Sequence, residues 1–226
     1  MTIRLLASAV VTIAAPARAE VGAVISAYSD ARFRGVSVSG GDPVAVLDLS
    51  YDDPSGAYAA ASGTAVASGG IRPLSLQLNA GYAKSLGDLT LDFGVLQSNY
   101  SRYSTTVHGS AYTEVYAGLS RKNLTARVHL SPHYFGGGTW TLYGELNHAL
   151  PLSRRLSLNS HIGMVIPLRT RGPADDYSQF DWRVGLDQAI GRFALHAAVT
   201  GARGVRHYEG DRGGRAALVV GASFIL

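Results

Sequence analysis

The sequence contains no cysteine, and this absence excludes both a disulfide-stapled scaffold and a zinc site built on thiolates. Charged residues make up only 16% of the 226 residues while 46% are hydrophobic, which excludes an intrinsically disordered chain. Beyond the first residues, no apolar run approaches the ~20 residues of a membrane-spanning helix, so a helical membrane protein is excluded as well. What remains is rich in glycine and tyrosine, with 27 and 12 residues, and this composition favours a β structure.

The first 19 residues have the three parts of a secretory signal peptide. A short basic segment ends at Arg4, the apolar run 5–15 carries no charge, and Pro16-Ala17-Arg18-Ala19 supplies a break and a cleavage site. We therefore predict cleavage after Ala19 and one mature domain over 20–226; the alternative is a buried N-terminal helix. Cleavage removes two arginines and no acid, so the formal charge falls from +4 to +2. An exported chain of this charge is not expected to bind nucleic acid.

From Val21 onward, apolar and polar residues alternate with a period of two, which indicates β-strands. In the segment 177–188 the even-numbered residues from Phe180 to Leu186 are apolar; in 72–84 the even-numbered residues from Leu74 to Ala80 form the apolar face. About twelve segments show the pattern, at 21–30, 43–51, 57–66, 72–84, 88–99, 111–120, 123–132, 139–149, 155–166, 177–189, 192–202 and 215–226. Each has roughly the ~10 residues that a tilted strand needs to cross a bilayer.

The connections distinguish a membrane barrel from a soluble β-sandwich, which alternates in the same way. Short turns such as 52–56 and 121–122 follow the even-numbered segments, and mostly longer stretches such as 31–42 and 100–110 follow the odd-numbered ones. Outer-membrane barrels alternate short periplasmic turns with longer external loops, and in hydrocarbon a sheet must close on itself. We predict an all-β fold, a closed antiparallel transmembrane β-barrel of about 12 strands. Ten strands remain the alternative, because the region around 55–70 is weakly patterned.

Aromatic residues fall near both predicted ends of the strands, as two belts at the level of the lipid headgroups would. The outer group is Trp140, Phe180 and Trp182, with Tyr100 and Tyr103 close by; the inner group is Tyr51, Tyr82, Phe193 and Phe224. The alternative is that these rings fill the core of a soluble periplasmic β-protein.

Four motifs carry a family resemblance: SDARFRGVS at 29–37, YTEVYAG at 112–118, SPHYFG at 131–136 and YGELN at 143–147. Their order and spacing resemble the TorF porin family, across essentially the whole mature chain. The resemblance implies a β-barrel of the Gram-negative outer membrane. Its partners would be outer-membrane lipid, lipopolysaccharide and, during biogenesis, the barrel-assembly machinery. It implies no catalytic residue. His133, in place of an aspartate, and the terminal Leu226, in place of a phenylalanine, depart from the family pattern.

The polar faces of the segments predict the side chains that line the lumen. These are Asp48, Asp92, Glu114, Arg127, His129, Tyr143, Glu145, Asp181, Arg183 and Asp187, joined by His161 and His196. Charges of both signs inside a barrel can set ion or solute selectivity, or they can pair across strands and brace the wall. Both interpretations stay open, and the sequence indicates no preference between cations and anions.

Arg32 and Arg34 flank Phe33 in the first loop and are candidates for a pore constriction. The alternatives are contact with lipopolysaccharide phosphates and ordinary hydrogen bonds within the loop. Gly35 is expected to supply a backbone geometry that other residues resist. The remaining external stretches are mildly basic, through Arg102, Arg169, Arg171, Arg203, Arg206 and Arg212.

An enzyme would need a nucleophile and a base. His129 and Ser131 share one face of a strand, a spacing also seen in a family of lipid A deacylases, but no orienting carboxylate is identifiable. Asp175-Asp176 and Glu209-x-Asp211 are expected to be solvated loop charges, with calcium at the second pair as the alternative.

We therefore predict no catalytic, cofactor or metal site. The predicted function is a porin-like channel for passive diffusion of small hydrophilic solutes. A plugged structural or adhesive barrel and a lipid-modifying hydrolase are the alternatives.

Overall fold

A computed structural model describes residues 19–107, 109–136, 140–169, 178–204 and 215–226. The predicted export signal therefore lies outside the described residues, apart from Ala19. The strands are β1 (Glu20–Tyr28), β2 (Arg32–Phe33), β3 (Val36–Ser37), β4 (Val44–Asp52), β5 (Ala57–Ala67), β6 (Ile71–Leu86), β7 (Leu89–Tyr100), β8 (Ala111–Arg121), β9 (Leu124–Ser131), β10 (Trp140–Pro151), β11 (Leu156–Arg169), β12 (Gln179–Ile190), β13 (Phe193–Arg203) and β14 (Ala217–Ile225), with a single 3₁₀ turn at Tyr134–Gly136. Within the described ranges, no helix is long and apolar enough to span a membrane.

Twelve of these strands form a closed wall, in which neighbours along the chain pair antiparallel. The wall closes at β1, where Tyr28 lies opposite Gly221 of β14 on one side and opposite Val44 of β4 on the other. β2 and β3 stand apart as a small hairpin within the first loop. The prediction of a closed antiparallel barrel is confirmed. The count is twelve rather than ten, because the weakly patterned region contains the complete strand β5.

The predicted alternation is present along the wall. On β8 every second residue is buried, with Glu114 inside and Val115 outside. The outward side chains are apolar and uncovered by protein; Leu76, for example, is 46% exposed. A soluble β-sandwich would instead pack this apolar face against a second sheet. An apolar outer face and a polar inner face are the arrangement expected of a transmembrane barrel.

The prediction that Leu74 belongs to the outer face is wrong. Thr64 pairs with Ser75, but the next residue, Ala65, pairs with Pro73, so Leu74 is an extra residue on β6. Such a β-bulge shifts the alternation by one residue and turns the side chain to the other face. Leu74 is therefore fully buried inside the barrel.

The two ends of the barrel differ. At the short-turn end, strands are joined through 53–56, 87–88, 122–123, 152–155 and 191–192. At the long-loop end, they are joined through 29–43, 101–110, 132–139, 170–178 and 204–216, and through the tight turn 68–70. Tyr51, Tyr82 and Phe193 are exposed on the outer wall towards the short-turn end, and Trp140 and Phe180 towards the long-loop end, as predicted for two belts. Tyr100 differs from the prediction: it faces inward and is buried.

Four inward-facing tyrosines lie directly over glycines of a neighbouring strand. The pairs are Tyr28 over Gly221, Tyr58 over Gly81, Tyr116 over Gly94 and Tyr143 over Gly163. A Cβ at any of these glycines would overlap the ring above it. Because these glycines have no side chain, the tyrosine rings can lie against the wall. The rings therefore project less far into the lumen.

Gly94→Ala is expected to lower the free energy of unfolding by about 1–3 kcal/mol, the usual cost of overpacking. The new Cβ would overlap the Tyr116 hydroxyl and lie 2.7 Å from the Ala80 carbonyl oxygen. The Tyr116 ring cannot turn away freely, because its hydroxyl donates to Asn79 at 2.9 Å. Urea unfolding in detergent measures the effect. Gly144→Ala is the matched control, since its Cβ would meet nothing within 4 Å; equal midpoints for the two variants would contradict the expectation.

Candidate functional site

The first loop folds into the barrel as a tight hairpin. Arg34 and Gly35 join β2 to β3 with φ angles of 47° and 74°, the positive pair that defines a type I′ turn. The hairpin tip lies against β12 and β13. A Cβ on Gly35 would overlap the Gly201 carbonyl oxygen, and Gln179 donates a hydrogen bond to the Arg34 carbonyl oxygen at 2.9 Å.

Arg34 extends from this tip across the interior. Its Nη2 lies 2.8 Å from each carboxylate oxygen of Glu114, and its guanidinium carbon lies 3.7 Å from the centre of the Tyr143 ring. β8, which carries Glu114, is five strands from β1 in one direction around the wall and seven in the other. The hairpin and Arg34 together therefore span the lumen.

The Arg34–Glu114 ion pair is buried, with side chains 6% and 1% exposed. Burial disfavours the charge of Arg34, but the Tyr134 hydroxyl and the Glu114 carboxylate raise the pKa of its guanidinium well above the ordinary value. Charge-assisted bonds of this kind are among the strongest in proteins. A guanidinium held inside the wall favours the constriction over contact with lipopolysaccharide.

Arg32 occupies a different environment at the base of the loop. Its Nη2 donates to the Arg215 carbonyl oxygen at 2.8 Å, and its Nε lies 3.7 Å from the Asp30 carboxylate. Asp30 also accepts hydrogen bonds from Ser37 and Ser39, at 2.6 and 2.8 Å. For Arg32 the geometry favours the structural alternative.

An apolar cluster packs beside the hairpin at the long-loop end. The Phe33 ring lies 5.8–6.0 Å from those of Tyr100, Tyr112 and Phe135. Buried aliphatic residues complete it: Val38, Val44, Val66 and Leu74. Thr106 donates to the Ser37 carbonyl oxygen at 2.6 Å, which fastens the hairpin to the loop after β7. The cluster narrows this end of the barrel along β4 to β8.

A second network braces the wall from β5 to β9. Arg127 donates to one Asp92 oxygen through Nη2 and Nε, at 2.5 and 3.1 Å. The Tyr58 hydroxyl donates to the other Asp92 oxygen at 2.5 Å and bonds the Tyr116 hydroxyl. Arg127 and Asp92 are buried. These two predicted pore-lining residues thus pair with each other, as the bracing interpretation expected.

Carboxylate and imidazole groups alternate in a row across β8 to β12. His129 has Nδ1 3.7 Å from Glu114 and Nε2 3.5 Å from Glu145. His161 has Nδ1 3.9 Å from Glu145 and Nε2 2.7 Å from Asp181. We call these five residues the imidazole–carboxylate row. It begins at the partner of Arg34, so the constriction and the row share Glu114.

Three further charged groups face the interior between β12 and β4. Asp187 lies 2.8 Å from His196, whose other ring nitrogen is 3.0 Å from the Ser223 hydroxyl. Asp48 and Arg183 are half-buried and, among the described residues, neither has an ion-pair partner within 4 Å. Asp48 and Arg183 remain available to water and ions in the lumen, and Asp187, which also accepts a hydrogen bond from Asn159, remains partly exposed.

All ten residues predicted to line the pore project into the interior, and the networks above join most of them. The aromatic cluster around Phe33 and the pairing of Arg34 with Glu114 were not predicted. Gly35 between Phe33 and Val36 was a partial signal, because glycine tolerates the positive φ of a two-residue hairpin turn, but Arg34 stands where such a turn usually has asparagine, aspartate or glycine.

The geometry does not assemble a nucleophile from His129 and Ser131. The Ser131 hydroxyl donates to the Thr113 carbonyl oxygen at 2.8 Å, and His129 lies between two carboxylates. Within the described ranges, no group of three or more His, Asp or Glu side chains could hold a metal ion. The remaining loop candidates lie outside the described residues: Arg171, Asp175, Asp176, Arg206, Glu209, Asp211 and Arg212.

Comparison with solved structures shows a porin-like fold. The NanC porin is 13% identical, with 91% of this chain and 100% of that one covered and a TM-score of 0.59. The KdgM porin in complex with disordered oligogalacturonate is 10% identical, with coverages of 91% and 98% and a TM-score of 0.54. The COG4313 outer membrane channel from Pseudomonas putida F1 is 12% identical, with coverages of 94% and 96% and a TM-score of 0.50.

Sequence comparison adds a family. No curated protein matches the chain significantly. The model of the family Gcw_chp, described as a bacterial protein of unknown function, matches residues 13–220. The porin-like neighbours agree with the fold that the TorF resemblance implied, whereas the matching family carries a different name.

Proposed function

The chain belongs to the Gcw_chp family of bacterial proteins, whose function is unknown, and from its geometry we propose a porin-like channel. It would pass small hydrophilic solutes by passive diffusion across the Gram-negative outer membrane. The observation that carries the proposal is the closed wall, apolar outside and charged inside. Lipid solvates such an exterior, and a polar interior has only water to face.

The first-loop hairpin is the proposed constriction. Arg34 divides the lumen by reaching Glu114 on the far wall, at 2.8 Å. Because the hairpin tip lies against Gly201 of β13 and Arg34 reaches Glu114 of β8, we propose that the hairpin and Arg34 together set the free cross-section that solutes must pass.

The proposed location requires export and insertion. Residues 1–19 would serve as the export signal, and the barrel-assembly machinery would insert the mature chain. The outer wall would then contact lipid and lipopolysaccharide. No cofactor is needed for diffusion through such a channel.

Conductance in planar bilayers tests the proposal. The mature protein, purified in detergent and checked for its folded state, is expected to give discrete conductance steps in KCl. Liposome swelling with small sugars and amino acids should then identify the uncharged or zwitterionic solutes that pass. A folded protein without steps would contradict the channel.

A plugged structural barrel is the second candidate, and the filled long-loop end favours it. Phe33 and its cluster, together with Arg34, occupy much of this end of the lumen. Folded protein that is silent in bilayers and inert in swelling assays would support this candidate. The lipid-modifying hydrolase has no comparable support, because Ser131 bonds a carbonyl oxygen and not His129.

A further inference from the structure

We infer that the lumen prefers small cations at neutral pH, and that His129, His161 and His196 set this preference by gaining or losing a proton. This selectivity presupposes the channel function proposed above. It extends that function by naming the class of solute that passes most readily and the residues that control the choice.

The charges between the two rims of the barrel are unequal in number. Inside the two rims, six carboxylates face inward in the described part of the wall, on Asp48, Asp92, Glu114, Glu145, Asp181 and Asp187; Asp52, on the same face of β4, lies at the short-turn rim and is left out of this count. Three guanidinium groups oppose them, on Arg34, Arg127 and Arg183. Six negative and three positive charges leave three negative charges when the imidazoles are neutral. Three protonated imidazoles would cancel this excess.

His129 is surrounded by acids and phenols from both neighbouring strands, and the Arg34 guanidinium faces it from the first-loop hairpin, across the Glu114 carboxylate that both contact. Glu114 and the Tyr116 ring face it from β8, and Glu145 and the Tyr143 ring from β10. Both ring nitrogens are buried and lack a hydrogen-bond partner within the described residues. Each nitrogen is thus turned towards a carboxylate, and a proton gained here adds positive charge beside the constriction.

His161 lies in the same row, closer to water, with its side chain 19% exposed. Glu145 and Asn147 face it from β10, and Asp181 faces it from β12. Arg183 is its direct cross-strand neighbour on β12. The Tyr143 hydroxyl lies 3.2 Å from its Nε2.

His196 forms a separate pair between β13 and β12, next to the end of the imidazole–carboxylate row. Asp187 faces it from β12 at 2.8 Å, Ser223 from β14 at 3.0 Å, and the Tyr28 ring from β1 at 5.7 Å. The Asp187 side chain is 21% exposed, so the charge of this pair acts directly on ions in the lumen.

The position of these charges allows them to act on ions in the lumen. Rings of acidic side chains favour cations in channels, and the low-dielectric wall of a narrow lumen strengthens the field of the charges that line it. Asp48, Asp187, Arg183 and His161 retain contact with the interior space. Histidine ordinarily changes its charge between about pH 5 and 8, so a change of pH across this interval tests whether the excess of negative charge depends on these imidazoles.

The reversal potential in a KCl gradient measures the preference. For the full mature protein we expect a cation-selective value at pH 8 that moves towards zero at pH 5.5. The triple variant His129→Gln/His161→Gln/His196→Gln should stay cation-selective at both pH values, because glutamine keeps hydrogen-bonding capacity and cannot be charged. Should the triple variant not fold, His161→Gln and His196→Gln taken singly should each remove part of the shift.

His148→Gln is the matched control. His148 faces the outer wall beside Leu146 and Ser160, so its loss should leave the shift intact. A reversal potential that is equal at both pH values, or an unchanged shift in the triple variant, would overturn the inference while the conductance steps persist. Absence of conductance at every pH would instead overturn the channel function itself.

Discussion

Arg34→Met is expected to raise the single-channel conductance and to increase the fluctuation between open levels. The substitution removes the two bonds to Glu114 and the contact with the Tyr143 ring. Glu114, 1% exposed, is then left without its cation. Removing one partner of a buried ion pair costs about 3–5 kcal/mol. We call the hairpin docked when its tip lies against β12 and β13 and residue 34 faces Glu114. The cost destabilises this docked state relative to the undocked one, because only the docked state places residue 34 beside Glu114.

The fraction of molecules with a docked hairpin is expected to fall strongly. Each 1.4 kcal/mol is a factor of ten, so the ratio of docked to undocked hairpin should fall roughly a hundredfold or more. The double variant Arg34→Met/Glu114→Gln leaves no unpaired charge and should recover much of the wild-type conductance. Arg102→Met, on an exposed loop arginine, serves as the control. Wild-type conductance in the Arg34 variant would show that the hairpin does not constrict the pore.

The wall of the barrel could be predicted from the sequence because its determinant is local. Each strand must place apolar residues towards lipid and polar residues inward, so the period of two repeats in every segment. Trp182 and Asp181, for example, are adjacent in sequence and lie on opposite faces. Such a pattern needs no knowledge of which strands pair.

The contents of the lumen could not be predicted in the same way. Arg34 and Glu114 are 80 residues apart, and nothing in either segment specifies the other. Leu74 turned inward because a bulge shifted its register, which depends on the partner strand. Tyr100 lies on the inward face of β7, together with Asp92 and Ser98, and packs there against the Phe33 ring, 5.9 Å away, a partner that the pattern of β7 does not specify.

The two interpretations of the interior charges apply to different residues. Arg127 and Asp92 are buried and paired, so they stabilise the wall. Asp48 and Arg183 are half-buried and face the lumen, and the described residues give neither an ion-pair partner within 4 Å. Bracing and selectivity are therefore divided between sides of the same barrel, with the imidazole–carboxylate row between them.

Gly35→Ala is expected to undock the hairpin even though Arg34 is kept. Gly35 has a φ of 74°, which costs an alanine about 1–2 kcal/mol, and its Cβ would also overlap the Gly201 carbonyl oxygen. That overlap is with backbone, so it cannot be relieved by a side-chain rotation, and it should add about 1–3 kcal/mol. The conductance of Gly35→Ala should therefore approach that of Arg34→Met.

Gly41→Ala separates the two causes. Gly41 lies in the same loop with a φ of 88°, but a Cβ there would meet nothing within 4 Å. The Gly41→Ala variant has the backbone strain of a positive φ but no overlap of its Cβ with another atom. Its conductance should therefore stay close to the wild-type value. Equal effects of the two substitutions would mean that loop strain alone controls the pore. A larger effect at Gly35 would tie the constriction to the contact between the hairpin tip and β13, because this contact is present at Gly35 and absent at Gly41.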